Sequence, residues 1–408
     1  MKNPFPFSTT LVAMSLIVPA TADTIYSNLQ DTPIPTDFTG VFIDVDGNSN
    51  WDINPFFGGV GVANSAAFQP VRTSAGNLGT LQNFAVGSSI DVSGLFATGM
   101  GGSQDHLGNT FISGQEGYLG FKLNGNYGWM RVVFTGNTAG AVVKDWAYDN
   151  SGAAIITGRV QQSAVSAGTQ LVTLSPGSGE SFTLGSMITN TGSNINSVLK
   201  TGAGTTTLSG SNSYSGVTGI SNGKLIVNGS IAASSATTVN SGGTLAGSGM
   251  VGTLTVDSGG ILSPGNGVGS LTLTNGVILA GSYIWELGAL STSNPGSDFD
   301  ILTIVGGDAD ITGATIGLSL GVFAPSNVPF WQSSQTWSGI LYNTGLGTLT
   351  GTFAAIDNTA WSSIGSFTTT TTGNDVNLVW SAVPEPGSAG LIGGLGVLAL
   401  LGRRRNAI

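Results

Sequence analysis

The sequence has no cysteine, one histidine and few charges: Asp, Glu, Lys and Arg together make up 8% of its 408 residues, against about 25% in an ordinary soluble domain. Without cysteine there is no disulfide framework, thiolate zinc site, iron–sulfur cluster or thiol nucleophile. A single histidine cannot build a multi-histidine metal centre. His106 has no serine or aspartate partner by motif, which leaves it a loop residue. Of eleven basic residues, Lys2, Arg403, Arg404 and Arg405 lie in terminal segments, leaving seven for the body of a chain with net charge -10. A nucleic-acid binder needs a basic surface, so no nucleic-acid partner is expected.

In place of charge the chain carries Gly, Ser, Thr and Asn, with Gly alone numbering 65. Hydrophobic residues stand at 40%, so the low charge is not the signature of disorder. This composition suits strands and tight turns and suits helices badly. At roughly 100–200 residues per domain, two or three units fit the length. An acidic, uncharged-polar surface fits an extracellular or periplasmic protein better than a cytosolic enzyme.

Both ends look like addresses. Lys2, the apolar run Leu11 to Val18 and Ala20-Thr21-Ala22 give the n-region, h-region and A-x-A site of a secretory signal, with cleavage between Ala22 and Asp23. The other reading of this stretch is a short buried strand or helix. At the C-terminus, Ser388 to Leu401 is apolar and Arg403-Arg404-Arg405 follows. A 14-residue helix spans roughly 21 Å, short of the ~30 Å hydrocarbon core, although snorkelling arginines and local thinning can close the gap. The arginines would stay cytoplasmic. Upstream, Pro384-Glu385-Pro386 forms an exposed, extended tripeptide. Tripeptide, short apolar helix and Arg run together resemble the PEP-CTERM sorting signal of bacterial surface proteins. The resemblance implies recognition of Pro384, Glu385 and Pro386 by an exosortase-type membrane enzyme, with the tail removed or transient. The alternative is a permanent C-terminal membrane anchor.

The middle repeats. Val239-Asn240-Ser241-Gly242-Gly243-Thr244-Leu245 matches Val256-Asp257-Ser258-Gly259-Gly260-Ile261-Leu262 at an offset of 17, and Leu273-Thr274-Asn275-Gly276 continues the series. Ile220 to Leu225 fits with a one-residue gap. Such a period suits one coil of a right-handed parallel β-helix, whose inner face is buried only by stacking neighbours at ~4.8 Å per strand. About five coils, roughly 25 Å, fit between residues 198 and 290. A β-meander sandwich is the alternative. Leu199-Lys200-Thr201-Gly202-Ala203-Gly204-Thr205, continuing through Asn212-Ser213-Tyr214-Ser215-Gly216, resembles the autotransporter-associated β-strand repeat. That repeat serves as a stalk in secreted passenger domains, and here no membrane barrel follows it, so a structural role is expected.

Residues 297–380 read as continuation and cap. Phe330, Trp331, Trp337 and Trp361 either plug the open column or form an aromatic sugar platform. Over 23–160 the 17-residue period is missing and large aromatics are commoner. Tyr118 to Leu123 and Tyr127 to Phe134 flank Asn124-Gly125-Asn126, a hairpin signal, and Val142 to Tyr148 follows as a third strand. The segments Gly117-Tyr118-Leu119-Gly120-Phe121, Tyr127-Gly128-Trp129 and Asp145-Trp146-Ala147-Tyr148 resemble an N-terminal module of PEP-CTERM surface proteins, which names no activity.

The expected fold is therefore all-β. It comprises a signal peptide (1–22), an antiparallel β-sandwich (23–160), a connector or first coils (161–197), β-helix repeats (198–296), continuation and cap (297–380), and a sorting tail with a short apolar helix (381–408). Two clusters bear on chemistry. Asp44, Asp46, Asn48, Asn50 and Asp52 alternate like calcium-loop ligands, although Gly47 and Pro55 break the usual pattern and such residues also make plain turns. Asp298 with Asp300, and Asp308 with Asp310, are the carboxylate pairs a polysaccharide-degrading site would use. With no Lys, Arg or His nearby, solubilising acids fit these pairs better. The expectation is a secreted, exosortase-sorted, non-catalytic surface or matrix protein, structural or adhesive. Carbohydrate binding by the N-terminal unit is the alternative, favoured if Trp51, Trp129 and Trp146 share an exposed groove.

Overall fold

The computed structural model describes residues 23–75, 80–99, 110–345, 347–354 and 356–383. The signal segment with Ala22, His106, the Pro384-Glu385-Pro386 tripeptide, the apolar tail and Arg403 to Arg405 lie outside the described residues. Within them the regular structure is nearly all strand, with three short 3-10 turns and no α-helix.

From residue 169 the chain alternates between two sheets, and from Thr218 onward it visits three in cyclic order. Thr218–Ile220 joins one sheet, Gly223–Val227 the second and Ser230–Ile231 the third. Thr237–Val239, Gly243–Gly247 and Met250–Val251 then repeat the circuit, each strand parallel to its predecessor. This is the topology of a parallel β-helix. The sequence offset is the physical register: Val239 pairs with Val256 and Leu245 with Leu262. Ile220 pairs with Val239 and Leu225 with Leu245, so the one-residue gap is absorbed between strands. Inward positions stack into apolar columns, Leu225, Leu245, Leu262 and Tyr283 among them, all fully buried. Each such leucine contributes about 1.5–3 kcal/mol of transfer free energy. At the corners Gly242 and Gly259 take φ of 87° and 83°.

The third match fails. Leu273 does not follow Val256; that place goes to Leu279, and Leu273 pairs with Val251 and Ile304 on the third sheet. The coil here is longer than 17 residues, so a second strand falls where the offset pointed. Later coils lengthen further, bringing in the segments that close the column's end.

The N-terminal unit centres on one antiparallel sheet flanked by two short two-stranded ones, and the antiparallel sandwich expected over 23–160 is not shown. Glu116–Leu123 and Asn126–Val133 form the predicted hairpin, with Leu123 opposite Asn126. Its two-residue turn has positive φ at both Asn124 (50°) and Gly125 (95°), as a type I′ turn requires. Val142–Asp149 pairs with the second strand. Asp23–Tyr26 then pairs antiparallel with Val142–Asp149 on one side and parallel with Ser181–Leu184, a solenoid strand, on the other. The sheet therefore runs on into one face of the solenoid. A hairpin of Ile53–Phe56 and Gly61–Asn64 lies beside it, and Ile53, Val62, Phe68, Leu119, Phe121 and Met130 share a core on one of its faces. Tyr26, Tyr118 and Trp129 on the other face join the solenoid core. The hairpin of Ile53–Phe56 and Gly61–Asn64 thus packs on one face of this sheet and the first coils of the solenoid on the other.

Candidate functional site

Three aspartates converge on the N-terminal unit. Asp44, Asp46 and Asp52 each bring a carboxylate oxygen within 4.8 Å of the others, the one such group among the described residues. The loop winds around Asp44, whose oxygens accept the N–H groups of Gly47 (2.8 Å), Asn48 (3.1 Å) and Ser49 (2.7 Å). Asp46 accepts Asn124 Nδ2–H from the hairpin turn at 3.1 Å. Asp52 is buried and accepts the Val45 N–H at 2.8 Å. Burial pushes its carboxyl up, the Val45 N–H offsets this, and the charges of Asp46 and Asp44 push it up further. Asn48 turns its side-chain oxygen to the Asn50 N–H at 2.8 Å, a turn contact, and Asn50 is exposed. Of the five alternating residues, the three carboxylates are the ones brought together.

Beside this loop the aromatics are uncovered. Phe42 (62% exposed) meets Trp51 (42%) edge to face at 5.5 Å. The expected groove of Trp51, Trp129 and Trp146 does not form. Trp129 is fully buried and lies at the base of a partly open cavity of about 170 Å³ beside the first solenoid strands. Trp146 is half-buried and donates its indole N–H to the Val45 carbonyl at 3.1 Å, which braces the aspartate loop. Odd and even strand positions face opposite sides, so aromatics on neighbouring strands of one sheet need not meet.

The carboxylate pairs of the solenoid are spent separately. Asp300 is fully buried and accepts the N–H groups of Gly269 (2.8 Å) and Glu286 (3.0 Å), tying two coils together. Burial raises its carboxyl to about 8. Asp298 accepts Asn294 Nδ2–H at 2.9 Å. Asp308 binds the Thr348 N–H and hydroxyl, and Asp310 the Thr312 N–H.

At the trailing end the tryptophans plug the column. Trp285, Trp331, Trp337 and Trp380 are buried at 2% exposure or less. Trp337 meets Trp285 at 5.2 Å and Trp331 at 5.8 Å, while Trp380 meets Trp331 at 5.2 Å and Phe367 at 4.9 Å. Phe330 and Trp361 pack against this core from partly buried positions.

The leading end holds a network that no sequence motif announced. Arg131 clamps Asp145 through Nε (2.9 Å) and Nη2 (2.6 Å), and the Tyr26 hydroxyl donates to the same carboxylate at 2.7 Å. Burial pushes the Asp145 carboxyl up, and Arg131 and Tyr26 pull it back down. Arg131 also donates to the Gln162 carbonyl. The Gln162 side chain reaches Gln170 (2.7 Å) and Asn196 (2.8 Å), which face each other on the first two solenoid strands. The sheet and the solenoid are thus welded by buried polar groups.

Lys200 belongs to a column position between Leu174 and Ile220. It is fully buried, yet its ammonium reaches out to the carbonyls of Gly202 and Asn222 (3.0 Å), the corners of two successive coils. Burial lowers it to about 8. This coil carries a family match. Residues 198–227 match the passenger-associated-transport-repeat. The repeat's Lys and Gly-x-Gly are therefore the staple and the corner it grips, and its Tyr214 is a buried core residue whose hydroxyl bonds Thr218 at 2.7 Å. Among curated proteins, none matches the chain. Among the described residues no helix is long and apolar enough to cross a membrane.

Proposed function

We propose that this chain is a secreted, non-catalytic surface or matrix protein in which a right-handed β-helix serves as stalk for the N-terminal sheet. The observation that carries this reading is the passenger-associated-transport-repeat within an unbroken parallel solenoid, closed at both ends. A passenger-type repeat suggests an extracellular or cell-surface setting. The separate use of Asp300, Asp308 and Asp310 as backbone acceptors, and of Asp298 by the Asn294 amide, supports a structural reading over hydrolysis. Crossovers between parallel strands are right-handed in about 98% of cases, which supports that hand. Pro384 to Pro386 and the following tail would hand the protein to an exosortase-type enzyme. The test is replacement of Pro384-Glu385-Pro386 by alanines in an exosortase-containing host. Retention of the full-length protein in the membrane fraction is expected, and unchanged release to the surface would refute the sorting role.

A second reading rests on Phe42 and Trp51 standing exposed beside Asp44, Asp46 and Asp52. In it the N-terminal unit binds a polysaccharide with help from calcium. A glycan panel run with calcium and with chelator tests it: calcium-dependent binding lost in Trp51→Ala is expected, and calcium-independent or Trp51-independent binding would overturn it.

A further inference from the structure

At the trailing end, on the outer surface of the third solenoid sheet, lies an open cavity of about 280 Å³. It is built by a defect in strand pairing. Gln335–Asn343 runs antiparallel to Asp375–Ala382, with Trp337 opposite Leu378 and Leu341 opposite Val376, so three residues face one. The bulge is held by Asn377, which is buried: its Oδ1 accepts the Gly339 N–H at 2.8 Å and its Nδ2 donates to Thr372 Oγ1 at 3.0 Å. Gly339 sits at φ 65°, and a Cβ there would stand 3.4 Å from the Tyr342 ring. The bulge thus turns Tyr342 outward, 44% exposed, with its ring beside bare backbone. Bulges of this kind re-aim side chains next to functional sites.

The lining is of one chemical kind. Tyr342, Pro295 and Ile301 give apolar surface, while Ser338, Thr372, Asp375 and Asn377 give hydroxyl, carboxylate and amide. Asp375 accepts the Asn343 N–H through Oδ1 at 2.9 Å. No basic residue lines the cavity, and the sole charge there is negative. Tyr342 also ends an outward row on this face, paired in register through Thr303, Thr272 and Met250. The row runs along the solenoid axis at ~4.8 Å per step. An aromatic face beside clustered hydroxyl, amide and carboxylate groups fits a ring with C–H faces and O–H edges, and the carboxylate selects against an anion.

We propose that this cavity is a subsite for a neutral polysaccharide, with the pyranose face on Tyr342 and its hydroxyls on Asp375, Thr372 and Ser338, which Asn377 holds in place from below. It lies at the opposite end of the solenoid from Trp51 and does not depend on the N-terminal reading. The test is isothermal titration of the full chain with cellohexaose, maltohexaose, mannohexaose and xylohexaose, and with an alginate hexasaccharide as the anionic control. At least one neutral hexamer should bind and the alginate should not. Tyr342→Ala should weaken that binding about tenfold, the scale of one lost aromatic contact, while Tyr342→Trp retains it. The exposed pair Ser338→Ala and Thr372→Val carries the same test should Tyr342→Ala melt early. Absence of binding by all four neutral hexamers overturns the proposal, as does preference for alginate. Binding that survives Tyr342→Ala and the Ser338/Thr372 pair but is lost in Trp51→Ala also overturns it, and favours the N-terminal site.

Discussion

At its leading end the solenoid column is covered by hydrogen bonds, and at its trailing end by aromatic rings. A stack of coils buries its middle automatically, but each end exposes an inner face that must be capped. The aromatic cap of Trp285, Trp331, Trp337, Phe367 and Trp380 gains mainly from buried area, with the indoles of Trp285, Trp337 and Trp380 each tied to one backbone carbonyl. The polar cap of Tyr26, Arg131, Asp145, Gln162 and Asn196 has one arrangement in which every group is met. It therefore fixes how the N-terminal sheet is seated, at the desolvation cost of a buried ion pair.

Breaking each end separates the two chemistries. Arg131→Met leaves Asp145 buried and unpaired, and should cost about 3–5 kcal/mol. Adding Asp145→Leu should recover much of that loss in equilibrium denaturation; a double variant no more stable than the single would mean the pair is not the determinant. Trp337→Ala should cost about 3 kcal/mol, from lost transfer and the cavity left behind. No second-site removal of a partner should rescue it, and a rescue by Phe367→Ala would contradict the packing account.

Smaller effects carry a sign. The carboxyl of Asp300, held near 8 by burial, lies above the ~3.9 of an unfolded chain. The folded state therefore holds the extra proton, and stability falls as pH rises from about 4 to 8. Asp300→Asn should flatten the melting temperature across that window. Lys200, lowered to about 8 by burial, lies below the ~10.4 of the unfolded chain. There the unfolded state holds the extra proton, so stability rises with pH from about 8 to 10.4. Lys200→Met should remove that rise, and a rise that persists would place its origin elsewhere. The smallest expected change is at Asp46: Asp46→Ala should lower the melting temperature in calcium and leave it unchanged in chelator. An equal loss in both conditions would make the aspartate loop a plain turn.

What was legible in the sequence follows the range of the interactions. The Asn124-Gly125 turn was readable because two adjacent residues dictate it. The register of Val239 on Val256 was readable because stacking repeats the same side-chain demand every coil. The series broke at Leu273 once the coil lengthened, since a longer coil shifts register without any mark in the local pattern. Trp331 and Trp337 announced a cap by size alone. Tyr26, Arg131, Asp145, Gln162 and Asn196 announced nothing, because no spacing links residues that meet only after both parts have folded. The solenoid's contact with the N-terminal sheet was hidden for the same reason: the two lie in different segments of the chain. The bulge beneath Tyr342 needs strand partners to exist before Asn377 can hold it open.

Asp23–Tyr26 is the strand that joins the N-terminal sheet to the solenoid, and this sets a clock. Its contacts span 160 residues, as in the Tyr26 N–H to Ser186 Oγ bond, whereas neighbouring coils close loops of about 20 residues, as between Asn228 and Ser248. Going from one to the other is three doublings of loop length, about 2 kcal/mol of extra closure entropy. Coils can therefore stack as soon as two neighbours exist. The first described strand can pair with Val142–Asp149 only after some 120 residues have followed it and with the solenoid only after some 160, so it is among the last to find its place.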